Sequence, residues 1–226
     1  VSGTNGLASG NTKLEAILHG IYELVERDSY AIWTLNGQDR QLHTKISEET
    51  IDDQHCCELL EKFRQAQVHV GIWDITSDIG LPAFIVRIIS DAVPPQLSIR
   101  PAMGMGCHIN KDIALSRALT EAAQSRLTFI AGSRDDMAPA HYKTYISEAE
   151  FSKWFKAIRI NESVADYRKV QSFQYNDFRE DFAFVKVCLK DKGLNQIIVC
   201  DLTKKEFDIQ VCRTIIPGLE GPSNYS

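Results

Sequence analysis

The run Asn11-Thr-Lys-Leu-Glu-Ala-Ile-Leu-His-Gly-Ile-Tyr-Glu-Leu-Val-Glu-Arg-Asp28 reads as one amphipathic helix. Taking Glu15 as origin, Glu26 falls about 20° and Glu23 about 80° around the helix axis, at about 100° per residue. Leu14, Ile17, Leu18, Ile21, Leu24 and Val25 gather on the opposite side. Glu23 and Glu26 are i,i+3 neighbours, and like charges at that spacing repel. The strip has two readings. It is a solvated face turned away from a core, or it is a site for a hard cation. Mg2+ takes oxygen ligands and often couples carboxylates to a phosphate. His19, four residues from both Glu15 and Glu23, reads as a polar bridge between carboxylates.

The segment before the helix is Asn5-Gly-Leu-Ala-Ser-Gly-Asn11, a glycine-bearing loop that opens straight into it. Glycine permits close backbone approach, and a helix N-terminus offers free N–H groups to a phosphate. The loop matches neither a Walker A nor a GxGxxG pattern. A second helical run, Ala114-Leu-Ser-Arg-Ala-Leu-Thr-Glu-Ala-Ala-Gln-Ser-Arg126, carries an anomaly. With Ala114 as origin, its apolar residues and Ile130 occupy an arc from about 40° to about 180°, and Arg126 falls inside it near about 120°. A guanidinium on a packed face either snorkels to water or takes a carboxylate or phosphate partner, because an unpaired buried charge is very costly. Glu121 and Gln124 lie on the other side of that helix, either solvated or supporting a site.

Composition is that of an ordinary globular protein: 226 residues, 44% hydrophobic, 24% charged. A net charge of -5 argues against a nucleic-acid surface. No apolar run approaches a membrane span, and no signal-peptide pattern opens the sequence. The six cysteines form no CxxC, and Cys188 and Cys200 read as small buried hydrophobes. Reduced thiols and a cytoplasmic location are therefore expected. No serine or cysteine nucleophile is paired with a base. Residues 47–66 look helical. Residues 68–75 and 82–89 look like an antiparallel hairpin at a sheet centre, turning at Asp78-Ile-Gly-Leu-Pro82. Ser147-x-x-Glu150 reads as a helix N-terminus. Residues 182–189 and 196–202 read as strands joined by 191–195. The runs Arg134-Asp-Asp136 and Arg179-Glu-Asp181 read as caps and surface pairs. The expected fold class is α/β, a mixed α+β sheet with helices packed against it.

Three ordered motifs resemble the YcaO family. The first is the Asn5–Asn11 loop with Glu15-Ala16 and Glu23-x-x-Glu26-Arg27-Asp28. The second runs from Ala114 through Gln124-Ser-Arg126 to Leu-Thr-Phe-Ile-Ala-Gly-Ser-Arg-Asp-Asp136. The third is Arg213-Thr-Ile-Ile-Pro-Gly-Leu-Glu220. The resemblance implies ATP and Mg2+ as cofactors and activation of a peptide or protein backbone amide by O-phosphorylation. The product is a thioamide, an azoline or an amidine, according to the nucleophile. It implies Glu15, Glu23 and Glu26 as metal- and phosphate-side carboxylates, with Glu23, Glu26 and Arg27 catalytic. Asn11, Glu15, Arg27 and Arg126 would contact the nucleotide. It further implies a YcaO-like catalytic domain over residues 1–226 that lacks the family's N-terminal portion. Many azoline-forming members end in a proline-rich tail, and this chain ends Gly221-Pro-Ser-Asn-Tyr-Ser226. The run from Gln124 to Asp136 resembles members associated with TfuA-type partners and thioamide formation. Expected partners are a peptide or protein substrate, a TfuA-like or other protein, and a second copy in a homodimer. The alternative is a non-catalytic nucleotide-binding or partner-docking domain of the same fold.

Overall fold

The helix foreseen over residues 11–28 starts where its chemistry dictates and runs longer. Helix α1 spans Lys13–Leu35. Thr12 is its N-cap and accepts the Glu15 backbone N–H, while Glu15 reaches back to the Asn11 N–H at 2.8 Å. This is close to a capping box, which satisfies N–H groups that a helix start leaves open. The structure is a computed structural model that describes residues 3–37, 42–90, 101–132, 148–159, 165–207 and 209–219.

Two three-stranded antiparallel sheets flank α1. One is ordered β1 (Leu7–Gly10), β6 (Gln210–Ile215), β5 (Ile198–Asp201), with Leu7 opposite Arg213. The other is ordered β2 (Val68–Asp74), β3 (Ala83–Ser90), β4 (Ala102–Cys107). Four more helices complete the described residues: α2 (Gln54–Gln65), α3 (Lys111–Ala131), α4 (Glu148–Arg159) and α5 (Phe178–Asp191). Strand β3 is apolar apart from Arg87 and Ser90 because both its faces are covered. Ile85 and Ile89 join the core built with Val25 and Trp33 of α1. Phe84, Val86 and Ile88 join the core built with Leu115, Ala118 and Leu119 of α3.

Two close approaches set the layer spacing. On α3, Ala114, Ala118 and Ala122 ride on the glycines of β4. A Cβ on Gly104 would lie 2.2 Å from the Ala122 nitrogen, and one on Gly106 would lie 2.1 Å from the Ala114 oxygen. On the other side, a Cβ on Gly20 of α1 would meet the Thr214 hydroxyl of β6 at 2.8 Å. Between α1 and β3, Arg87 is half-buried with its guanidinium 5.1 Å from the Trp33 ring, 5.3 Å from Trp73 and 4.8 Å from Trp154. Lys45 donates to the Ala157 and Ile158 carbonyls near the end of α4, at 3.1 and 2.6 Å.

The structure corrects several expectations. Residues 182–189 are not a strand but part of α5. Asp177 caps that helix by accepting the Arg179 and Glu180 N–H groups at 2.8 and 3.0 Å. Phe182, Val185 and Leu189 follow helical spacing, and a short apolar run is ambiguous until its cap is weighed. Residues 47–66 are not one helix. A 3-10 turn at Glu48–Thr50 is separated from α2 by Ile51 and by Asp53, which caps α2. One sheet was expected and two are present, because β1, β5 and β6 pair across nearly the whole sequence. The hairpin is present, with Gly80 turning at φ +81, but β3 is the central strand and β2 lies outside it. Cys188 is on a helix and half-buried, and Cys200 is exposed; all six cysteines are free. Ser147, at the foreseen start of α4, and Arg134-Asp-Asp136 lie outside the described residues. Among the described residues no helix is long and apolar enough to cross a membrane.

Candidate active site

Buried charge on α1 marks the site. Glu26 is 4% exposed, although it belongs to the acidic strip opposite the main apolar stripe. The strip is covered because α1 has a sheet on either side and α3 beside it. Burial pushes the Glu26 carboxyl up to about 7. The neighbouring Glu121 on α3 pushes it further, Arg27 and Arg117 pull it down, and Glu23 adds a smaller upward effect. Arg27 stands off, with its Nε 3.9 Å from Glu26 Oε1.

The other carboxylates are pinned by backbone amides. Glu23 Oε2 accepts the Gly6 N–H at 3.1 Å. Gly6 is held at φ +75, where a Cβ would strike the Thr214 carbonyl at 2.1 Å. Glu121 Oε2 accepts the Met105 N–H of β4 at 2.9 Å. The small-residue packing of α3 on β4 brings Glu121 to that strand and sets Arg117 over Gly106. Glu15 sits about three turns above Glu26, roughly 16 Å along the axis. It accepts the Asn11 side-chain amide at 3.1 Å as well as the Asn11 N–H, so Asn11 and Glu15 form one unit at the helix start.

The sequence-derived candidates are therefore not gathered at one point. Glu23, Glu26 and Arg27 are brought together; Asn11 and Glu15 sit apart from them at the head of α1. Among the described residues no group of three or more His, Cys, Asp or Glu is close enough to hold a metal ion. Arg126 is half-buried, and its Nη1 is buried without a hydrogen-bond partner. It lies nine residues beyond Arg117, about 180° around α3, on the opposite flank. Arg117 is the functional candidate that sequence reasoning passed over, and Glu121 was read there as either solvated or supporting a site. They are an i,i+4 pair of opposite charge inside the second quoted motif, and that spacing was the signal available.

Toward the head of α1 a cleft of about 180 Å³ opens between α1, the start of α3 and α5. Tyr22, His108 and Arg117 line it, with Glu15, His19 and Asp181. The Tyr22 and His108 rings lie 4.8 Å apart. His108 Nδ1 accepts the Asn110 backbone N–H at 3.0 Å, and burial, helped by Arg117, pushes its pKa down to about 4.

Carboxylates of this kind suit a hard divalent cation. Buried Glu26 has the half-buried Glu121 of another helix near it, and burial first, then that like charge, holds Glu26 partly protonated. A cation there would relieve both effects. Glu26 and Glu121 are the residues that can contribute oxygen ligands, with Arg27 placed for anionic oxygens.

A family model described as YcaO cyclodehydratase, ATP- and Mg2+-binding, matches residues 1–220. A protein of Rhizobium leguminosarum bv. trifolii, described as lying in the tfuA 3′ region, is 35% identical over 223 residues, which are 96% of this chain and 52% of that protein. The chain spans about half the length of the curated relatives it matches. Among solved structures, a heterocyclase in complex with substrate and cofactor shares the fold with a TM-score of 0.78 and 24% identity, covering 97% of this chain and 28% of that one. YcaO from Methanopyrus kandleri, bound with AMPPCP and Mg2+, gives a TM-score of 0.77 at 21% identity, covering 97% of this chain and 56% of that one. The match over nearly all of the sequence, with the fold that accompanies it, places this chain in the YcaO family.

Proposed function

We propose that the chain is the ATP- and Mg2+-dependent part of an enzyme that activates a peptide or protein backbone amide by O-phosphorylation. The observation that carries this reading is buried Glu26 with the half-buried Glu121 near it, Glu26 being held up to about 7 by burial and by that neighbour. Setting a second carboxylate near a buried one is costly unless a cation joins them. The solved YcaO protein bound with AMPPCP and Mg2+ supports that choice of ligand. Bound ATP–Mg2+ would supply transfer of a phosphoryl group to the amide oxygen, converting it into a leaving group. The work of this chain's residues is positioning and charge neutralisation. Glu26 and Glu121 would offer carboxylate oxygens to the metal, and Arg27 would balance phosphate charge.

Sulfide as external nucleophile, giving a thioamide with a TfuA-like partner protein, is the product reading we favour. Its support is the relative in the tfuA 3′ region and the motif from Gln124 to Asp136. The absence of a three-ligand metal group among the described residues favours a second reading, a nucleotide-binding domain without turnover. Calorimetry with AMPPCP, with and without Mg2+, tests binding; phosphate release with a peptide, sulfide and the TfuA-like protein tests turnover. Mg2+-dependent binding that is lost in Glu26→Gln and Glu121→Gln is expected. Binding that ignores Mg2+ and both substitutions would overturn the proposal, and binding without phosphate release would select the second reading.

A further inference from the structure

We infer that the cleft between α1, α3 and α5 seats the substrate's backbone amide, with His108 and Arg117 facing its carbonyl oxygen and Asp181 facing its N–H. This rests on the proposed amide-activating function and assigns a subsite to it.

Hydrogen-bond bookkeeping fixes what His108 can offer. Its Nδ1 is occupied by the Asn110 N–H. In the neutral ring the proton therefore sits on Nε2, which is left as a donor. Arg117 reaches the same cleft from the next turn of α3. Tyr22, 3% exposed, packs at a tilt against His108, and its buried hydroxyl has the Ile109 backbone near it but no hydrogen bond of good geometry. With the Ile109 backbone on its oxygen, the hydroxyl keeps its O–H as a further donor for a group that settles in the cleft, since buried polar groups are ordinarily paired. Asp181 of α5 supplies the acceptor, within electrostatic reach of Tyr22.

The charge pattern selects the class of ligand. Glu15 and Asp181 set two carboxylates on the cleft wall against the single guanidinium of Arg117, whose charge is shared with Glu26. A phosphate would face net negative charge. An amide is neutral and carries one acceptor and one donor, matching His108 and Arg117 on one side and Asp181 on the other. Leu18, Ile113 and Phe178 provide apolar wall, which suits the flanks of a peptide chain.

The test uses the whole 226-residue chain and two small probes, N-methylacetamide and methyl acetate. NMR follows the His108 imidazole signals. The amide probe should shift them saturably and bind more tightly than the ester, which lacks the N–H. His108→Asn keeps an acceptor for the Asn110 N–H and removes the Nε2 donor. It should weaken the amide about tenfold, the worth of one good hydrogen bond. Asp181→Ala should abolish the preference for amide over ester. Amide-backbone spectra report whether each variant is folded, and Tyr22→Phe provides a second donor deletion if His108→Asn is not. Equal binding of both probes to wild type, or unchanged amide affinity in the folded donor variants, overturns the assignment. So does AMPPCP–Mg2+ competing the amide out of the cleft. Failure of AMPPCP–Mg2+ to bind anywhere would instead overturn the proposed function, while the amide titration still decides the subsite.

Discussion

Replacing Glu26 by glutamine should stabilise the metal-free chain, and only in alkali. Lifting this carboxyl from its ordinary 4.5 to about 7 corresponds to about 3 kcal/mol in favour of the protonated form, at about 1.4 kcal/mol per pKa unit. The unfolded chain releases the proton near 4.5 and the folded chain holds it to about 7. Between those values the folded state binds the extra proton, so stability falls as pH rises, and the full cost is present above about 7. Glutamine is neutral throughout and escapes it. Thermal melts of wild type and Glu26→Gln at about pH 5 and about pH 8 read the effect. Melting temperature moves by about 2–4 °C per kcal/mol in a domain of this size. The variant should thus gain on wild type by about 6–12 °C between the two conditions, from that 3 kcal/mol. Comparing two pH values removes any fixed packing cost of the substitution, and every other titrating group cancels between the two proteins. Saturating Mg2+ should narrow the alkaline gap by stabilising wild type alone. A gap equal at both pH values, or one that widens in acid, would refute a buried, charge-starved Glu26.

Glu121→Gln should lower the Glu26 titration midpoint, read by carboxyl 13C NMR, yet leave it above the ordinary range, because burial is the larger cause and Glu121 the second. An unchanged midpoint would separate the two side chains. Gly104→Ala should cost about 1–3 kcal/mol or more in urea melts, since the new Cβ meets the Ala122 backbone nitrogen rather than a movable side-chain end. Wild-type stability there would mean that α3 does not ride on β4 as described. Thr12→Ala should cost about 1 kcal/mol through loss of the N-cap of α1, and an effect near zero in urea melts would remove the cap from the account.

Helix α1 was legible because its period, polarity and length agree. What the sequence did not disclose is that the helix is covered on several sides. Ala16 and Gly20 hinted at it: two small residues one turn apart allow a second sheet to approach. The consequence is Glu26, which reads as solvated by pattern and is buried in fact. Of the three-glutamate strip, Glu23 and Glu26 belong together, whereas Glu15 is engaged at the helix start, since a shared azimuth says nothing about distance along the axis. Arg126 was singled out for lying in an apolar arc, and it is half-buried; but the positive charge that α3 adds to that of Arg27 near Glu26 is Arg117, on the flank that the helical count left as polar surface. Strands β1, β5 and β6 could not be paired from sequence, because Leu7 meets Arg213 by long-range register alone. Helix α5 was misread where Asp177 and Glu180 already marked a cap.

The gathering of Trp33, Trp73 and Trp154 around Arg87 gives this protein a built-in optical probe. The chain contains only these three tryptophans, and all lie within 5.3 Å of one guanidinium carbon, measured to ring centroids. Their emission is therefore a signal from one place, the seam where α1, β2 and α4 meet. Quenching, red shift or energy transfer on unfolding would report the opening of that seam rather than an average over the molecule. Fluorescence and backbone circular dichroism, followed together through a melt, would separate release of α4 from loss of the sheets.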